Sequence, residues 1–455
     1  MAGLFNLELG SNYRFLDAGA GIGSLSSALI EKCISEDIIL ENIELAAFEV
    51  DDSLHEYLSQ SLSRYTNQIP LTYEIFGGDF IEAAVNMIQF RQRDFTHAIL
   101  NPPYKKINST SRYRHLLRLV GIETVNLYSA FVALALSLMV PGGQIVAIIP
   151  RSFCNGPYYR PFREFILEHA AIKHIHLFDS RSKTFKDDNV LQENIIMLLE
   201  RGGPQGSVVI STSTDNTFTD LLTNVYPFDQ IVMPDDLEHF IHVPSSPKIN
   251  LIDISPAICY SLAEIGINIS TGPVVDFRLK EYLQDAPGLG SVPLLYPSHF
   301  GNNGTEWPKI GKKKPNAIRY NSDTEKWLYP SGFYCVVRRF SSKEEKRRIV
   351  ASVVDPISFP GAPMLGFENH LNVFHIGRQG LPEALARGLA AFLNTTAVDE
   401  HFRRFSGHTQ VNATDLKLLK YPNREMLISL GGMISGHSTD QQTIDGLFKG
   451  LIDDN

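Results

Sequence analysis

Four short stretches hold residue types that could do chemistry. The first is Asn101-Pro102-Pro103-Tyr104: an amide, two prolines and a phenol directly after the apolar run 95–100. An exocyclic amine on an aromatic ring is a poor nucleophile, because its lone pair is delocalised into the ring. Two acceptors that take both N–H groups pull that nitrogen toward tetrahedral geometry and stabilise the charge it gains on attack. The Asn101 side-chain oxygen and the Pro102 carbonyl are such a pair, and Tyr104 offers a face on which a base can stack. The same four letters would also serve as a rigid end to a strand, since proline donates no ladder hydrogen bond.

The second stretch is FLDAGAGIGSL, in which Asp17, Gly19, Gly21 and Gly23 are spaced D-x-G-x-G-x-G around Ala20. Glycines let backbone approach a ligand closely and take positive φ. A dinucleotide fingerprint would read G-x-G-x-x-G, and here residue 24 is Ser. The third stretch is Glu49-Val50, a carboxylate at a strand end, placed to accept from two ribose hydroxyls. The fourth is Gly78-Asp79-Phe80, an acid and an aromatic suited to the amino group and the face of an adenine. Together they point to a nucleoside cofactor held without a phosphate-cradling loop, which fits S-adenosylmethionine better than NAD.

These stretches need a scaffold. Apolar runs at 13–17, 45–49, 71–79, 95–100, 144–150, 172–178 and 194–200 read as strands. Helical patterns at 23–34, 52–64, 80–90 and 127–139 alternate with them. Alternating strand and helix implies a parallel sheet with helices on both faces, with ligands bound at the carboxyl ends of the strands. The last two strands lack room for a long helix between them and could form an antiparallel pair at one edge. After Gly202-Gly203-Pro204 the texture turns rich in Ser, Thr, Pro and Asp. The expected organisation is an α/β Rossmann-like, seven-stranded domain over 1–205, a linker or boundary region over 206–245, and a mixed α+β domain over 246–455.

The bulk numbers agree with two soluble domains: 455 residues, 44% hydrophobic and 20% charged. The longest apolar run, 130–140, stops at Pro141-Gly142-Gly143 and is too short to span a bilayer. The start MAGLFNLELG lacks a signal-peptide pattern. Four dispersed cysteines without CxxC suit free thiols in a reducing cytoplasm. The 14 histidines are scattered without HExxH, so no metal is expected. His174 and His176, on one face of a strand, read as core or rim residues. Net charge is −9, yet Lys309 to Arg348 holds twelve Lys/Arg against four Asp/Glu. Such segregation can give a basic face on an acidic protein.

FLDAGAGIGSL, AFEVDD, GGDF, NPPY and NLYSAFVALAL stand in the order seen in amino-methyltransferases of bacterial restriction–modification systems. The chain resembles the gamma-class, TaqI-like adenine-N6 DNA methyltransferases, of the BsuBI/PstI type. The later stretches 332–351 and 405–422 resemble the target-recognition part of that type. The resemblance implies that Gly19 and Gly21 line the cofactor's methionine part, Glu49 the ribose, and Asp79 with Phe80 the adenine. It adds Phe131 near that adenine, and gives Asn101, Pro102 and Tyr104 to the target base, with Phe185 stacking on the base's other face. The family's upstream TP-containing helix has no counterpart in the sixteen residues before Asp17. Either the start is trimmed, the cofactor is covered from elsewhere, or it is bound more weakly.

A base inside a duplex must be flipped out to reach such a site, at a cost of roughly a few kcal/mol. Compensating contacts are expected from Lys312, Lys313, Lys314, Arg338 and Arg339 to phosphates, and from His408, Thr409, Gln410 and Asn412 to base edges or phosphates. Lys343, Lys346, Arg347 and Arg348 have helical spacing with Glu344 and Glu345. No nuclease motif is visible, so cleavage would belong to a separate restriction endonuclease. The rival readings are an RNA or protein-glutamine methyltransferase, and a DNA-binding specificity module without catalysis.

Overall fold

The structure is a computed structural model. It describes all residues except 9–11, 37–40, 93, 179–192, 235, 245–249, 302–303, 312, 342–344, 407–408, 435–439 and 454–455. The chain divides into two compact units, Met1–Pro247 and Lys248–Asn455.

The first unit alternates strand and helix: β1 (Asn12–Ala18), α1 (Ser24–Ser35), β2 (Asn42–Glu49), α2 (His55–Ser63), β3 (Leu71–Gly77), α3 (Phe80–Gln89) and β4 (Phe95–Leu100). There follow α4 (Arg112–Leu119), α5 (Leu127–Leu138), β5 (Met139–Pro150), α6 (Arg160–His169), β6 (Ala170–Phe178), β7 (Asn194–Arg201), β8 (Val208–Ser213) and β9 (Leu222–Tyr226). One sheet contains all nine strands, in the order β3-β2-β1-β4-β5-β7-β6-β8-β9. Strands β3, β2, β1, β4 and β5 are parallel, and β7 runs antiparallel to both β5 and β6.

Side chains alternate across the sheet, and each face is covered by helices. Phe15, Leu45, Ile99 and Val146 pack with Leu29 and Ile30 of α1 and Leu58 and Leu62 of α2. Leu16, Ala98, Leu100 and Ala147 pack on the opposite face with Ile81 and Val85 of α3, Val132 and Leu136 of α5, and Ile166 of α6.

Two expectations need correction. The sheet has nine strands rather than seven, and residues 206–245 are no linker: they supply β8 and β9, and Ile231, Val232, Ile241 and Val243 enter the core. The Ser/Thr-rich texture is structural. Ser211 Oγ lies 2.7 Å from His174 Nε2 and 2.8 Å from His176 Nδ1, and Ser213 Oγ lies 3.2 Å from His176 Nε2. Paired hydroxyls and imidazoles are compatible with burial in a strand. Burial lowers the pKa of both histidines, which favours the neutral ring.

The second unit is mixed α+β. A four-stranded antiparallel sheet joins Asn268–Thr271, Leu371–His375, Tyr334–Arg338 and Ala351–Val354. A five-stranded sheet is built around Ser291–Leu295, Ala317–Arg319 and Met364–Phe367. The helices Glu383–Leu393 and Arg424–Met433 meet backbone to backbone: a Cβ on Gly388 would fall 1.7 Å from the Leu427 oxygen. The four cysteines are free thiols. Among the described residues no helix is long and apolar enough to cross a membrane.

Candidate active site

Register brings the four chemical stretches to one edge. In the β1–β2 pair, Ala18 faces Phe48; in the β1–β4 pair, Asp17 faces Ile99. Two residues on, Gly19 and Asn101 leave adjacent strand ends. Glu49 ends β2 beside Gly77, which ends β3, and Asp79 follows. The chain winds outward from β1 through β2 to β3, then returns to add β4 on the other side of β1. This is the topological switch point at which open α/β sheets bind ligands.

The glycine loop is shaped by its backbone. Gly19, Gly21 and Gly23 take φ of 84°, 57° and 84°, where a side chain is strained. The Gly19 and Ala20 N–H groups both donate to the Phe48 carbonyl at 2.9 Å. A Cβ on Gly23 would lie 2.8 Å from Leu58 Cδ1, so glycine is also needed there to admit α2. A Cβ on Gly21 would meet nothing within 4 Å, so that backbone is open. At Gly19 the same construction ends 3.9 Å from the Phe131 ring and 4.0 Å from the Asn101 carbonyl oxygen. The loop, α5 and the Asn-Pro-Pro-Tyr turn therefore converge.

The carboxylates of this edge are held by donors. Glu49 accepts the Gly21 N–H at 2.8 Å through Oε2 and the Asp51 N–H at 2.9 Å through Oε1. Each oxygen retains a second lone pair. Asp79 caps α3 through Oδ1, accepting from Ile81 at 2.9 Å and Glu82 at 3.2 Å. Its Oδ2 accepts from the Tyr113 hydroxyl at 2.6 Å. That bond and the nearby carboxylate push the Tyr113 phenol up to about 12, so it stays a donor at neutral pH. Asp17 is fully buried; its Oδ2 accepts from Ser26 Oγ at 2.5 Å, and its Oδ1 has no partner among the described residues. Burial pushes the Asp17 carboxyl up to about 6, partly offset by Ser26, while the Glu49 charge raises it further.

One assignment shifts, and one residue is added. Phe80 is 3% exposed, with its ring 5.2 Å from Phe48 and 5.0 Å from Phe131, so it supports those rings rather than offering a face. The apolar surface left open here belongs to Val50 and Ile22, 69% and 51% exposed, and to the half-buried Phe131. Tyr113, on the amphipathic α4, escapes sequence reasoning because it lies in a polar stretch, RYRHLLRL, outside any motif.

Asn101 is exposed at the end of β4, Pro102 buried and Pro103 exposed. The Tyr104 hydroxyl donates to Asn101 Oδ1 at 3.4 Å and to the Ile148 carbonyl at 3.2 Å. The Asn101 contact is long, so its amide oxygen remains available as an acceptor. Phe185 lies outside the described residues.

In the second unit, two of the five expected phosphate contacts, Lys314 and Arg338, are engaged internally. Lys314 pairs with Asp276 at 2.7 Å and lies 5.1 Å over the Tyr296 ring. Arg338 pairs with Glu345. The expected helix over 343–348 is absent from its described part. There Asp399 accepts the Arg348 and Ile349 N–H groups at 2.7 and 3.0 Å, tying the segment to helix Thr396–Phe405. Arg348 is 1% exposed, and Arg347 donates to Gln441 at 2.7 Å and to the Thr395 carbonyl at 3.0 Å. Asn412 forms a capping box with Asp415. Lys313 and Thr409 are exposed; Lys312 and His408 lie outside the described residues.

Comparison with known proteins decides the family. The chain is 54% identical to the type II methyltransferase M.BsuBI of Bacillus subtilis, over 99% of this chain and 91% of that protein. It is 41% identical to the type II methyltransferase M.PstI of Providencia stuartii, over 99% of this chain and 90% of that one. The chain belongs to the type II methyltransferases. The Eco57I restriction-modification methylase model matches residues 28–185 of this methyltransferase. Its fold is similar to that of the type IIL restriction-modification enzyme MmeI in complex with DNA: TM-score 0.57 and 12% identity, over 97% of this chain and 70% of that one.

Proposed function

We propose that this methyltransferase transfers the methyl group of S-adenosylmethionine to the N6 amine of an adenine flipped out of duplex DNA at a specific sequence. The observation that carries this reading is the register of β1 and β4, which sets Asn101 and Pro102 beside the glycine loop. The site suits the cofactor. The open backbone at Gly21, the buried Asp17 Oδ1 without a partner among the described residues, and the spare lone pairs of Glu49 are what a polar nucleoside ligand would use. Glu49 would hold the ribose, Asp79 the adenine amino group, and Val50 and Phe131 its faces. When bound, the cofactor supplies an electrophilic methyl carbon.

The chain's own contribution is to place and polarise the amine. Asn101 Oδ1 and the Pro102 carbonyl accept its two hydrogens, which localises the nitrogen lone pair and stabilises the developing positive charge. Tyr104 packs on the base. The new N–CH3 bond forms as the old S–CH3 bond breaks, and the surplus proton passes to water, so no strong base is required at the motif. By this reading the protein acts in the cytoplasm and protects DNA from a separate restriction endonuclease.

Transfer of labelled methyl from S-adenosylmethionine to unmethylated duplex DNA, RNA and protein, with product analysis, tests this. N6-methyladenine in DNA is expected. Label only in RNA or in glutamine would overturn the DNA assignment, and no label with no cofactor binding would overturn the catalytic one.

A further inference from the structure

Within the second unit, the motif stretches 338–341 and 409–411 converge with a turn that no motif marks, 368–370. The Arg339 N–H donates to the His370 carbonyl at 2.8 Å, and the Val411 N–H to the Arg339 carbonyl at 2.7 Å. The Ser341 N–H donates to the Thr409 carbonyl at 3.0 Å. The turn itself is fixed: the Glu368 N–H reaches the Leu295 carbonyl at 3.0 Å and the Asn369 N–H the Val274 carbonyl at 2.9 Å. A Cβ on Gly272 would fall 2.2 Å from the Glu368 carbonyl oxygen, so the residue after strand Asn268–Thr271 presses against it.

On this platform the side chains are arranged in an uncommon way. Glu368 is fully buried, and both its oxygens serve one residue. Oε1 lies 2.5 Å from His370 Nδ1, and Oε2 accepts the His370 N–H at 2.9 Å. Burying a carboxylate is costly, yet what it orients is an imidazole 42% exposed whose Nε2 has no partner among the described residues. The His370 ring lies 4.9 Å from Phe340, itself 40% exposed. Arg339 has no carboxylate partner among the described residues. Its Nη1 reaches the Asn369 carbonyl at 3.2 Å, its Nη2 the Gln410 Oε1 at 3.4 Å, and its buried Nε meets no acceptor among the described residues. Three other arginines of the basic stretch, Arg338, Arg347 and Arg348, are held by side chains of the unit itself.

We propose that Arg339, Phe340, His370 and Gln410 form a patch that reads base edges in duplex DNA, with Glu368 as the positioning residue of His370. The proposal rests on the DNA reading above and names the surface that would set its sequence specificity. Guanidinium matches guanine O6 and N7, a carboxamide matches adenine N6 and N7, and an aromatic edge packs on a thymine methyl. An imidazole whose Nδ1 is held by a carboxylate presents Nε2 to a purine edge. Rigid support of this kind is what precise readout requires.

The test uses the full chain. Wild type, His370→Ala, Phe340→Ser and Arg339→Gln each methylate unmethylated genomic DNA, and single-molecule sequencing reads the modified motif. Rates follow on duplexes that carry one changed base pair at a time. Each variant is expected to lose discrimination roughly 10- to 100-fold at one or two fixed positions and keep it elsewhere. Glu368→Gln should relax the same position as His370→Ala. A uniform loss on all sequences with a shallower salt dependence would assign the patch to phosphates and overturn the proposal, as would an unchanged motif. If His370→Ala fails to fold, Phe340→Ser, at an exposed side chain, decides in its place. A wild type that methylates no DNA removes the functional reading and this proposal together; a wild type that does, with variants of unaltered motif, removes this proposal alone.

Discussion

At the carboxyl edge of the first unit, Asn101 stands exposed with one long hydrogen bond, whereas in the second unit Arg338, Arg347 and Arg348 are tied to partners within their own unit. The difference shows how each kind of group is held ready. At the strand ends, position comes from backbone register and glycine geometry, so the acceptor itself stays uncommitted. In the basic stretch, position comes from side-chain hydrogen bonds and burial, which take up the donors of the cations they place. A count of cations in the sequence therefore overstates how many remain uncommitted in the fold.

Breaking the first side of this contrast should give the largest effect. If Asn101 accepts from the reacting amine as proposed, Asn101→Ala should lower methyl transfer by about 10³-fold while cofactor affinity is retained. Single-turnover transfer and calorimetry separate the two, and substantial residual turnover would sink the role. Glu49→Ala should instead weaken the cofactor by roughly 10- to 100-fold, the scale of lost charge-assisted hydrogen bonds. Unchanged affinity would remove Glu49 from the site.

Asp17 sharpens the contrast through pH. Its folded value of about 6 lies above its usual 3.8, so between these values the native state holds a proton that the unfolded chain releases. Stability from this group is therefore greatest at low pH and falls as pH rises toward about 6. Asp17→Asn cannot titrate, and melting curves below and above that value should show a smaller fall than in the wild type. Tyr113→Phe removes one donor to Asp79 and should cost about 5-fold in cofactor affinity; no change would mean that Asp79 is positioned by its helix cap alone. The smallest effects test the second unit. Lys313→Gln should lower the salt slope of DNA binding by about one unit or less, while Arg338→Gln leaves it unaltered. Equal slopes for both would show that internal pairing does not decide which cations meet phosphate.

The seven strands and four helices legible in the first 200 residues all form, because apolar periodicity sets which face of an element is buried. Helices α4 and α6 are not legible, since their apolar stripes are broken by arginines such as Arg114 and Arg163. Those arginines are buried with partners outside their helices: the Thr124 carbonyl and the Glu123 carboxylate for Arg114, and the Phe153, Gly156 and Glu238 carbonyls with the Glu238 carboxylate for Arg163. Strand β8 reads as linker because Ser211 and Ser213 look solvated until His174 and His176 stand beside them.

By itself, the sequence determined the α/β alternation, the glycine loop, the strand-end carboxylates and the Asn-Pro-Pro-Tyr turn. Each depends on neighbouring residues or on fixed spacing, and local geometry follows from those. Only the tertiary structure decided that Phe80 is turned inward, that Tyr113 binds Asp79, that Arg348 is buried, and that His370 joins Arg339. Each of these needs a partner far away in the chain. Burial and pairing are properties of where two segments meet, and residue type alone does not say which segments those will be.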